Sequence, residues 1–313
     1  MFRFALFPTG DIGLENLQVA IINALCARQR EDKFIIRVET LEGNKDMAEK
    51  DAQILDILKI CGITYDALYY QHDNFKYHLQ FASKLLDEKK AFICFCTPEE
   101  IKKKQQLATE ASKTYQYDGT CEHLSSETIL NSTQPFVIRL KKPLHDIRVQ
   151  ESSNGVFSFE KERIDRFVIM TEEKYPTYDF ACAIDDMIQG VSHIIQESAH
   201  RLDAPKHEHI RQTLGYRVPI TYTHLPRICH HDGEAMNQHD PINSVRWLLD
   251  HGYLPEAIVN YLIVLCYDTP QEIFTLKEAA TWFDIDKISQ TDAIFDIKTL
   301  ESINQAHIAN KKS

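Results

Sequence analysis

Three cysteines and one histidine carry the clearest chemistry in the sequence, in two short groups. Cys94 and Cys96 are separated by one residue, and further along the chain Cys121 and His123 repeat that spacing. Three thiols and one imidazole form a donor set that a tetrahedral structural zinc ion takes. We therefore predict a zinc site whose ligands are Cys94, Cys96, Cys121 and His123, two from each end of a helical segment.

Composition limits the environments and partners of the chain. The eight cysteines stand at uneven positions, which fits a reducing compartment with one metal site better than a disulfide framework. We find no run of 18 apolar residues and no leader after Met1, so we expect a cytoplasmic protein. A net charge of -11 gives no general attraction for RNA, so RNA contacts would need a local basic patch. Lys102–Lys104 is predicted to be a solvated helix face.

The elements that position chemistry begin at the first residue. Residues 1–42 are predicted to form a strand, a turn at Pro8-Thr9-Gly10, a long helix and a second strand. This is half of an α/β nucleotide-binding domain, whose ligands bind at the carboxyl edge of the sheet beside a helix N-terminus. Further helices are predicted over residues 46–61 and 77–86, and strands over residues 135–143, 155–159 and 167–170.

These blocks resemble the glutamyl-tRNA synthetases, a family of class I aminoacyl-tRNA synthetases. The resemblance rests on Pro8-Thr9-Gly10, Arg37-Val38-Glu39, the Tyr-Asp-Gly-x-Cys-x-His run from Tyr117, and the Tyr-Pro-Thr-Tyr run ending at Tyr178. It extends to about Asn310 and covers about two thirds of the family's length, without the family's anticodon-binding domain. In related tRNA-modifying paralogues the tyrosine of the Tyr-Asp-Gly run is a zinc ligand, so Tyr117 competes with His123 as the fourth ligand.

The resemblance implies an α/β fold with three regions. A split Rossmann-like domain of the catalytic type is expected over residues 1–86 and 166–240. An inserted domain that holds zinc and resembles the acceptor-end-binding domain is expected over residues 87–165. A helical domain of the type that contacts the tRNA stem is expected over residues 241–313.

Both motifs with which the family handles ATP are replaced. The HIGH motif falls on Gly13, Leu14, Glu15 and Asn16, and the KMSKS motif on Ala235, Met236, Asn237, Gln238 and His239. Loss of one charge-stabilising donor typically slows catalysis by about 10²- to 10³-fold, and several are absent here. Two like charges at 4 Å repel by about 4 kcal/mol at an effective dielectric of 20, so Glu15 would oppose ATP unless it turns away. The family uses ATP and Mg²⁺, and these substitutions argue against both.

The expected amino-acid pocket is partly retained. Arg3, Glu39 and Tyr178 stand where the family contacts its amino acid, whereas Cys182 replaces an asparagine and Gln196 replaces the arginine for the substrate carboxylate. Glutamate therefore loses its bidentate cation. A smaller or neutral amino-acid-like ligand could still use Glu39 and Tyr178.

Three functions remain open at this point. The favoured interpretation is a degenerate paralogue that no longer activates glutamate and binds tRNA, a synthetase or another partner. An active glutamate–tRNA ligase with substituted groups, such as His230, His231 or His239, is the alternative, and a protein-binding scaffold is the third. A histidine metal site built from these residues and from His207, His209 and His224 is disfavoured, because their spacing matches no ligand pattern. The sequence leaves the oligomeric state open.

Overall fold

The fold is an α/β arrangement of a large sheet, a small sheet and covering helices. The computed structural model describes residues 1–40, 48–152, 155–236 and 240–312. The strands in these ranges are β1 (Phe2–Leu6), β2 (Phe34–Val38), β3 (Ala67–Tyr70), β4 (Ala91–Cys94), β5 (Val137–Leu140), β6 (Ile147–Glu151), β7 (Gly155–Phe159), β8 (Val168–Met170), β9 (His193–Glu197), β10 (Thr221–Leu225), β11 (Ile228–Cys229) and β12 (Ala293–Ile294). The helices are α1 (Leu14–Gln29), α2 (Ala48–Ile60), α3 (Phe75–Asp87), α4 (Pro98–Glu110), α5 (Ser126–Leu130), α6 (Tyr178–Ile188), α7 (Ala204–Thr213), α8 (Val245–Asp250), α9 (Pro255–Val264), α10 (Leu276–Trp282) and α11 (Ile297–Lys312).

The large sheet has the order β3-β2-β1-β9-β10-β6-β7, and every neighbouring pair is parallel except β6 with β7. The chain leaves β1 toward one edge and leaves β9 toward the other, so the connections diverge between these two central strands. Ligands of open parallel sheets bind at such a point, outside the carboxyl ends of the strands. The predicted turn lies there, and Gly10 has a φ of 92°, a conformation that disfavours any side chain.

The strand predicted over residues 155–159 is confirmed as β7. It belongs to the inserted region expected over residues 87–165, and it pairs with β6 at the edge of the large sheet. The small sheet instead has the order β4-β5-β8. Ile147 and Val149 of β6 are buried against Ile194 and Tyr222 of the large sheet, and this packing places β6 beside β10.

The helices follow the predicted order. Helix α2 covers the predicted range from residue 48, with residues 46 and 47 outside the described part, and α3 contains the helix predicted over residues 77–86. Helix α9 begins at Pro255, where the missing N–H costs nothing. One apolar core continues from β1 and α1 into α9 and α11. Within the described ranges, no helix is both long and apolar enough to cross a membrane.

Candidate functional site

A cavity of about 520 Å³ lies at the carboxyl edge of β1 and β9, beside the first turn of α1. Its wall includes the predicted pocket residues Arg3, Glu39, Tyr178 and Gln196. Other side chains of the wall come from the HIGH position and the loop before it, from the end of β9 and the turn after it, and from the KMSKS position. They include Phe7, Asp11, Glu15, Asn16, Glu197, His200 and Met236. The structure thus brings together residues that are far apart in sequence, as a site at this edge requires.

The HIGH position forms contacts within the chain. Gly13 is the N-cap of α1 and provides no capping side chain, so the Oδ1 atom of Asn243 accepts from the Leu14 amide at 3.0 Å. Glu15 Oε1 accepts from the Ile228 amide at 2.7 Å. Burial raises the pKa of Glu15 to about 7, although that amide bond acts in the opposite direction. Asn16 donates to the Glu197 carboxylate. The helix start is therefore tied to β11 and β9.

Buried ion pairs form the floor of the cavity. Asp186 Oδ1 accepts from Arg3 Nε at 3.0 Å and from Arg37 Nη1 at 2.6 Å. Arg37 Nη2 donates to Glu39 Oε1 at 2.9 Å. Although burial favours a neutral carboxyl, Arg3 and Arg37 hold the pKa of Asp186 well below its usual range. Asp186 was not among our predicted site residues, because its position within α6 does not indicate which arginines it contacts.

Tyr178 and Cys182 occupy successive turns of α6 and face Glu39. The Cys182 thiol donates to Glu39 Oε1 at 3.1 Å, and burial next to that carboxylate raises the pKa of the thiol. The ring of Tyr178 stacks on Phe7, with centroids 6.1 Å apart. Phe7 is 43% exposed, so this pair forms an apolar wall at the cavity opening.

Gln196 lies at the end of β9 in a chain of polar contacts. Its Nε2 atom is 3.1 Å from the carbonyl oxygen of His200 and 3.1 Å from His224 Nε2. His224 Nδ1 is 3.0 Å from Glu151 Oε1, and Arg201 donates to the other oxygen of Glu151 at 2.9 Å. Glu151 and His224 were not predicted to support the pocket, because residues 151, 196 and 224 are adjacent only in the folded sheet.

The second ATP motif is described only in part. Ala235 forms an isolated bridge with Cys229, and Met236 is buried in the cavity wall. Asn237, Gln238 and His239 lie outside the described residues. The other histidines of the disfavoured metal site are dispersed: His230 contacts Asp240 at 3.0 Å, and His207 contacts Asp179 at 3.2 Å.

The three predicted cysteines converge. Cys96 Sγ and Cys121 Sγ are 3.7 Å apart, and the sulfurs of Cys94, Cys96 and Cys121 all lie within 4.8 Å of one another. A tetrahedral zinc ion with Zn–S bonds of about 2.3 Å separates its sulfurs by about 3.8 Å. The spacing of Cys96 and Cys121 therefore fits a shared metal ion.

Tyr117, and not His123, lies among the thiols. Its hydroxyl is 3.3 Å from both Cys94 Sγ and Cys96 Sγ and accepts from the Cys121 amide at 3.1 Å. The side chain is almost fully buried, and burial raises the pKa of its hydroxyl. His123 is exposed and is not part of the cluster. Three sulfurs and one oxygen therefore lie close enough together to serve as donor atoms for one metal ion.

The charges of the large cavity are predominantly negative. Asp11, Glu15, Glu39 and Glu197 contribute carboxyl groups to its wall. Among the described residues of the wall, Arg3 is the only arginine or lysine, and its guanidinium is already paired with Asp186. The pKa of His200 is raised by its hydrogen bond to Asp203, so this imidazole is a second, weaker cation.

Comparison with known proteins places this fold and site in one class. The family model described as the catalytic domain of class I tRNA synthetases (E and Q) matches residues 1–302. The chain belongs to this family of class I tRNA synthetases, as the sequence resemblance predicted.

Its similar relatives narrow the class further. Glutamate–tRNA ligase 1 of Campylobacter jejuni is 50% identical over 308 residues, which are 98% of this chain and 72% of the relative. The ligases of the same name from Campylobacter concisus and a Nitratiruptor species are 47% and 45% identical over the same shares. The chain is therefore glutamyl-tRNA-synthetase-like.

Solved structures agree on the fold. A glutamate tRNA ligase from Elizabethkingia meningosepticum, crystallised in complex with its amino acid, superimposes with a TM-score of 0.89 at 24% identity. That comparison covers 98% of this chain and 69% of the other. The glutamate-tRNA synthetase of Elizabethkingia anophelis gives a TM-score of 0.87, also at 24% identity, over 97% of this chain and 70% of the other. At this level of identity, both comparisons support the fold alone.

Proposed function

We propose that this chain does not form an aminoacyl adenylate from ATP and instead acts by binding tRNA, a synthetase or another partner. The observation that carries the proposal is the position of Glu15, whose carboxyl group occupies the helix start in contact with the Ile228 amide. A helix N-terminus attracts phosphate through its free amides and its dipole. Here Asn243 Oδ1 accepts from the Leu14 amide at that end, and the Glu15 carboxyl group lies beside it.

Charge supports the same proposal. In-line attack on the α-phosphate requires preorganised positive charge where phosphate charge develops. The described cavity wall instead presents four carboxyl groups, and its one arginine is paired with Asp186. Repulsion of ATP by these groups is stronger at high pH, because the pKa of Glu15 is about 7 and its carboxyl group ionises above that value.

The direct test is pyrophosphate exchange with ATP and each of the amino acids. The 50% identical ligase from Campylobacter jejuni serves as the positive control in the same assay. We expect no exchange above background for this chain. Exchange with any amino acid would contradict the proposal and favour the alternative of a ligase with substituted catalytic groups.

The partner is tested by capture on the tagged full chain at several salt concentrations. Sequencing of retained RNA and identification of retained proteins distinguish the candidates. A tRNA partner should be lost as salt increases, because binding to phosphates releases counterions. Retention of protein without nucleic acid at every salt concentration would instead favour a scaffold.

In this proposal zinc has a structural role. Cys94, Cys96, Cys121 and Tyr117 would hold it and fix the segment between β4 and β5. A structural zinc ion of this type contributes directly to folding of the region that binds it.

A further inference from the structure

We infer that the end of the cavity at Gln196 selects a ligand whose side chain ends in a hydrogen-bond donor, such as an amide or an ammonium group, and rejects glutamate. The inference goes beyond the proposed function and does not depend on it, because it concerns an amino-acid-like ligand of the cavity and not the partner of the chain. Three contacts of Gln196 and its neighbours carry it.

The first contact fixes which end of the Gln196 amide faces the protein. Its partner at 3.1 Å is the backbone carbonyl oxygen of His200. A carbonyl oxygen only accepts hydrogen bonds, so the atom that faces it must be the amide nitrogen. The orientation of this side chain therefore follows from chemistry.

The second contact uses the other hydrogen of the same nitrogen. Glu151 is buried and accepts from His224 Nδ1 at 3.0 Å, so the proton of a neutral His224 ring resides on Nδ1. Burial lowers the pKa of His224, which favours the neutral ring. Its Nε2 atom then has a free lone pair and accepts from Gln196 Nε2 at 3.1 Å.

Only an acceptor remains for a ligand. Both hydrogens of the Gln196 amide are engaged, and no described residue donates to its Oε1 atom. The side chain is 9% exposed and lines the cavity, so Oε1 is the polar atom that it can offer there. Leaving a buried acceptor without a donor costs the full desolvation of that group.

The surroundings favour the same kind of ligand. Glu197, the next residue, adds a carboxyl group to the cavity wall. His200 also lines the wall, and its Nδ1 atom, 3.0 Å from Asp203 Oδ2, donates to that carboxylate. At Gln196 Oε1 and Glu197 a ligand carboxylate would meet acceptors, whereas an amide or ammonium group would be paired. Arg3, although paired with Asp186, and Glu39 also line the wall, where they can meet the α-carboxylate and α-ammonium groups of an amino acid.

Binding measured without ATP tests the inference. Isothermal titration of the full chain with glutamine, lysine, ornithine and glutamate should show binding of at least one donor-ended amino acid. We expect it to bind about tenfold or more tightly than glutamate, because an unpaired buried polar group is strongly rejected. Glutamate binding as tight as the others, or no binding by any of the donor-ended ligands, would overturn the inference.

The outcome is separable from that of the proposed function. Pyrophosphate exchange with glutamine would contradict the absence of adenylate formation and leave the donor selection intact. Absence of exchange together with preferred binding of glutamate would support the proposed function and contradict the donor selection.

Two variants examine the mechanism of selection. Gln196→Arg should shift the preference to glutamate, because it places a cation at the acceptor end. Gln106→Arg, the same substitution on the exposed face of α4, should leave the preference unchanged.

His224→Phe tests the positioning role. Without the Nε2 acceptor, the contact with the His200 carbonyl alone holds the Gln196 amide, so the ratio of glutamine to glutamate affinity should fall. Melting temperatures of all variants identify general destabilisation. An unchanged affinity ratio in a folded His224→Phe protein would rule out the role assigned to His224.

Discussion

The cysteine cluster and the start of α1 are two places where the family resemblance predicts a ligand. The cluster keeps its donor groups, whereas the start of α1 does not keep its motif. At the cluster, three thiols and the Tyr117 hydroxyl still converge as a donor set. At the start of α1, Glu15 contacts the Ile228 amide and Asn16 contacts Glu197. The donor groups of the cluster therefore remain arranged for a ligand, whereas the side chains at the start of α1 form hydrogen bonds within the chain.

The comparison shows which interactions the fold itself requires. A structural metal contributes to folding whatever the protein does, so its ligands are needed even without catalysis. Folding does not require groups that bind phosphate, so side chains that form internal hydrogen bonds can replace them without loss of stability. Five predictions test this contrast, and they are ordered from the largest expected effect to the smallest.

Removal of a cluster cysteine should have the largest effect. The chain is expected to bind one equivalent of zinc, and Cys94→Ser and Cys121→Ser should each release it. Because apparent zinc binding in small structural sites is worth about 10 kcal/mol or more, residues 91–123 should become sensitive to proteolysis. Metal content by atomic emission and limited proteolysis measure both effects.

Cys266→Ser provides the matched control, since that thiol is buried in the main core away from the cluster. It should retain zinc. Full zinc content in both cluster variants would exclude this ligand set, and release by His123→Ala but not by Tyr117→Phe would reverse the assignment of the fourth ligand.

Asp186→Ala should have the next largest effect. It leaves Arg3 and Arg37 buried without their shared carboxylate, which typically costs about 3–5 kcal/mol. Denaturant unfolding measures the loss, and Asp87→Ala on the exposed surface of α3 is the control. A loss below about 1 kcal/mol would show that the ion pairs do not hold the cavity floor.

The same aspartate predicts a pH dependence. The folded-state pKa of Asp186 is below the ordinary value of about 3.9. The ionised carboxylate therefore stabilises the folded state above about pH 4, and this stabilisation is lost as the pH falls below that value. Below about pH 4, the free energy of unfolding should therefore fall less steeply with decreasing pH in Asp186→Asn than in the natural sequence.

Glu15→Gln should have a smaller effect of opposite sign. The folded-state pKa of about 7 exceeds the unfolded value of about 4.3, so the folded chain binds more protons between these values and loses stability as the pH rises through them. The variant should be about 1 kcal/mol more stable at pH 8, allowing for partial solvent screening. Unfolding from pH 5 to pH 8, with Glu110→Gln as an exposed control, measures this; lower stability at pH 8 would contradict the account.

Thr97→Ala should have the smallest effect. Thr97 follows Cys96 directly and caps α4, accepting from the Glu100 amide at 3.3 Å, while Glu100 accepts from the Thr97 amide at 2.8 Å. Loss of such a cap costs about 1 kcal/mol. Hydrogen exchange of the α4 amides should increase without zinc release, and Thr109→Ala near the end of the helix should change it less. Release of zinc would show that the cap, as well as the thiols, is required for the cluster.

Local features of the sequence predicted the elements, the turn at Gly10 and the cysteine cluster, because short-range spacing and periodicity determine them. Partners that are distant in sequence could not be predicted in the same way. The contact of Glu15 with Ile228 depends on how β11 passes the helix start, and the contacts from Gln196 to Glu151 depend on the order β9-β10-β6. For the same reason, β7 was predicted as a strand, but its pairing with β6 at the edge of the large sheet was not predicted.

The location of β6 and β7 has a practical consequence for chimeric proteins. Exchange of the segment 87–165 with that of a relative would transfer both strands and leave the outer edge of β10 dependent on foreign side chains. Exchange between the end of α3 and the end of β5 would keep Ile147 and Val149 with the strands against which they pack. Transplantation of the cysteine-bearing segment should therefore succeed with the second pair of junctions and yield an aggregation-prone product with the first.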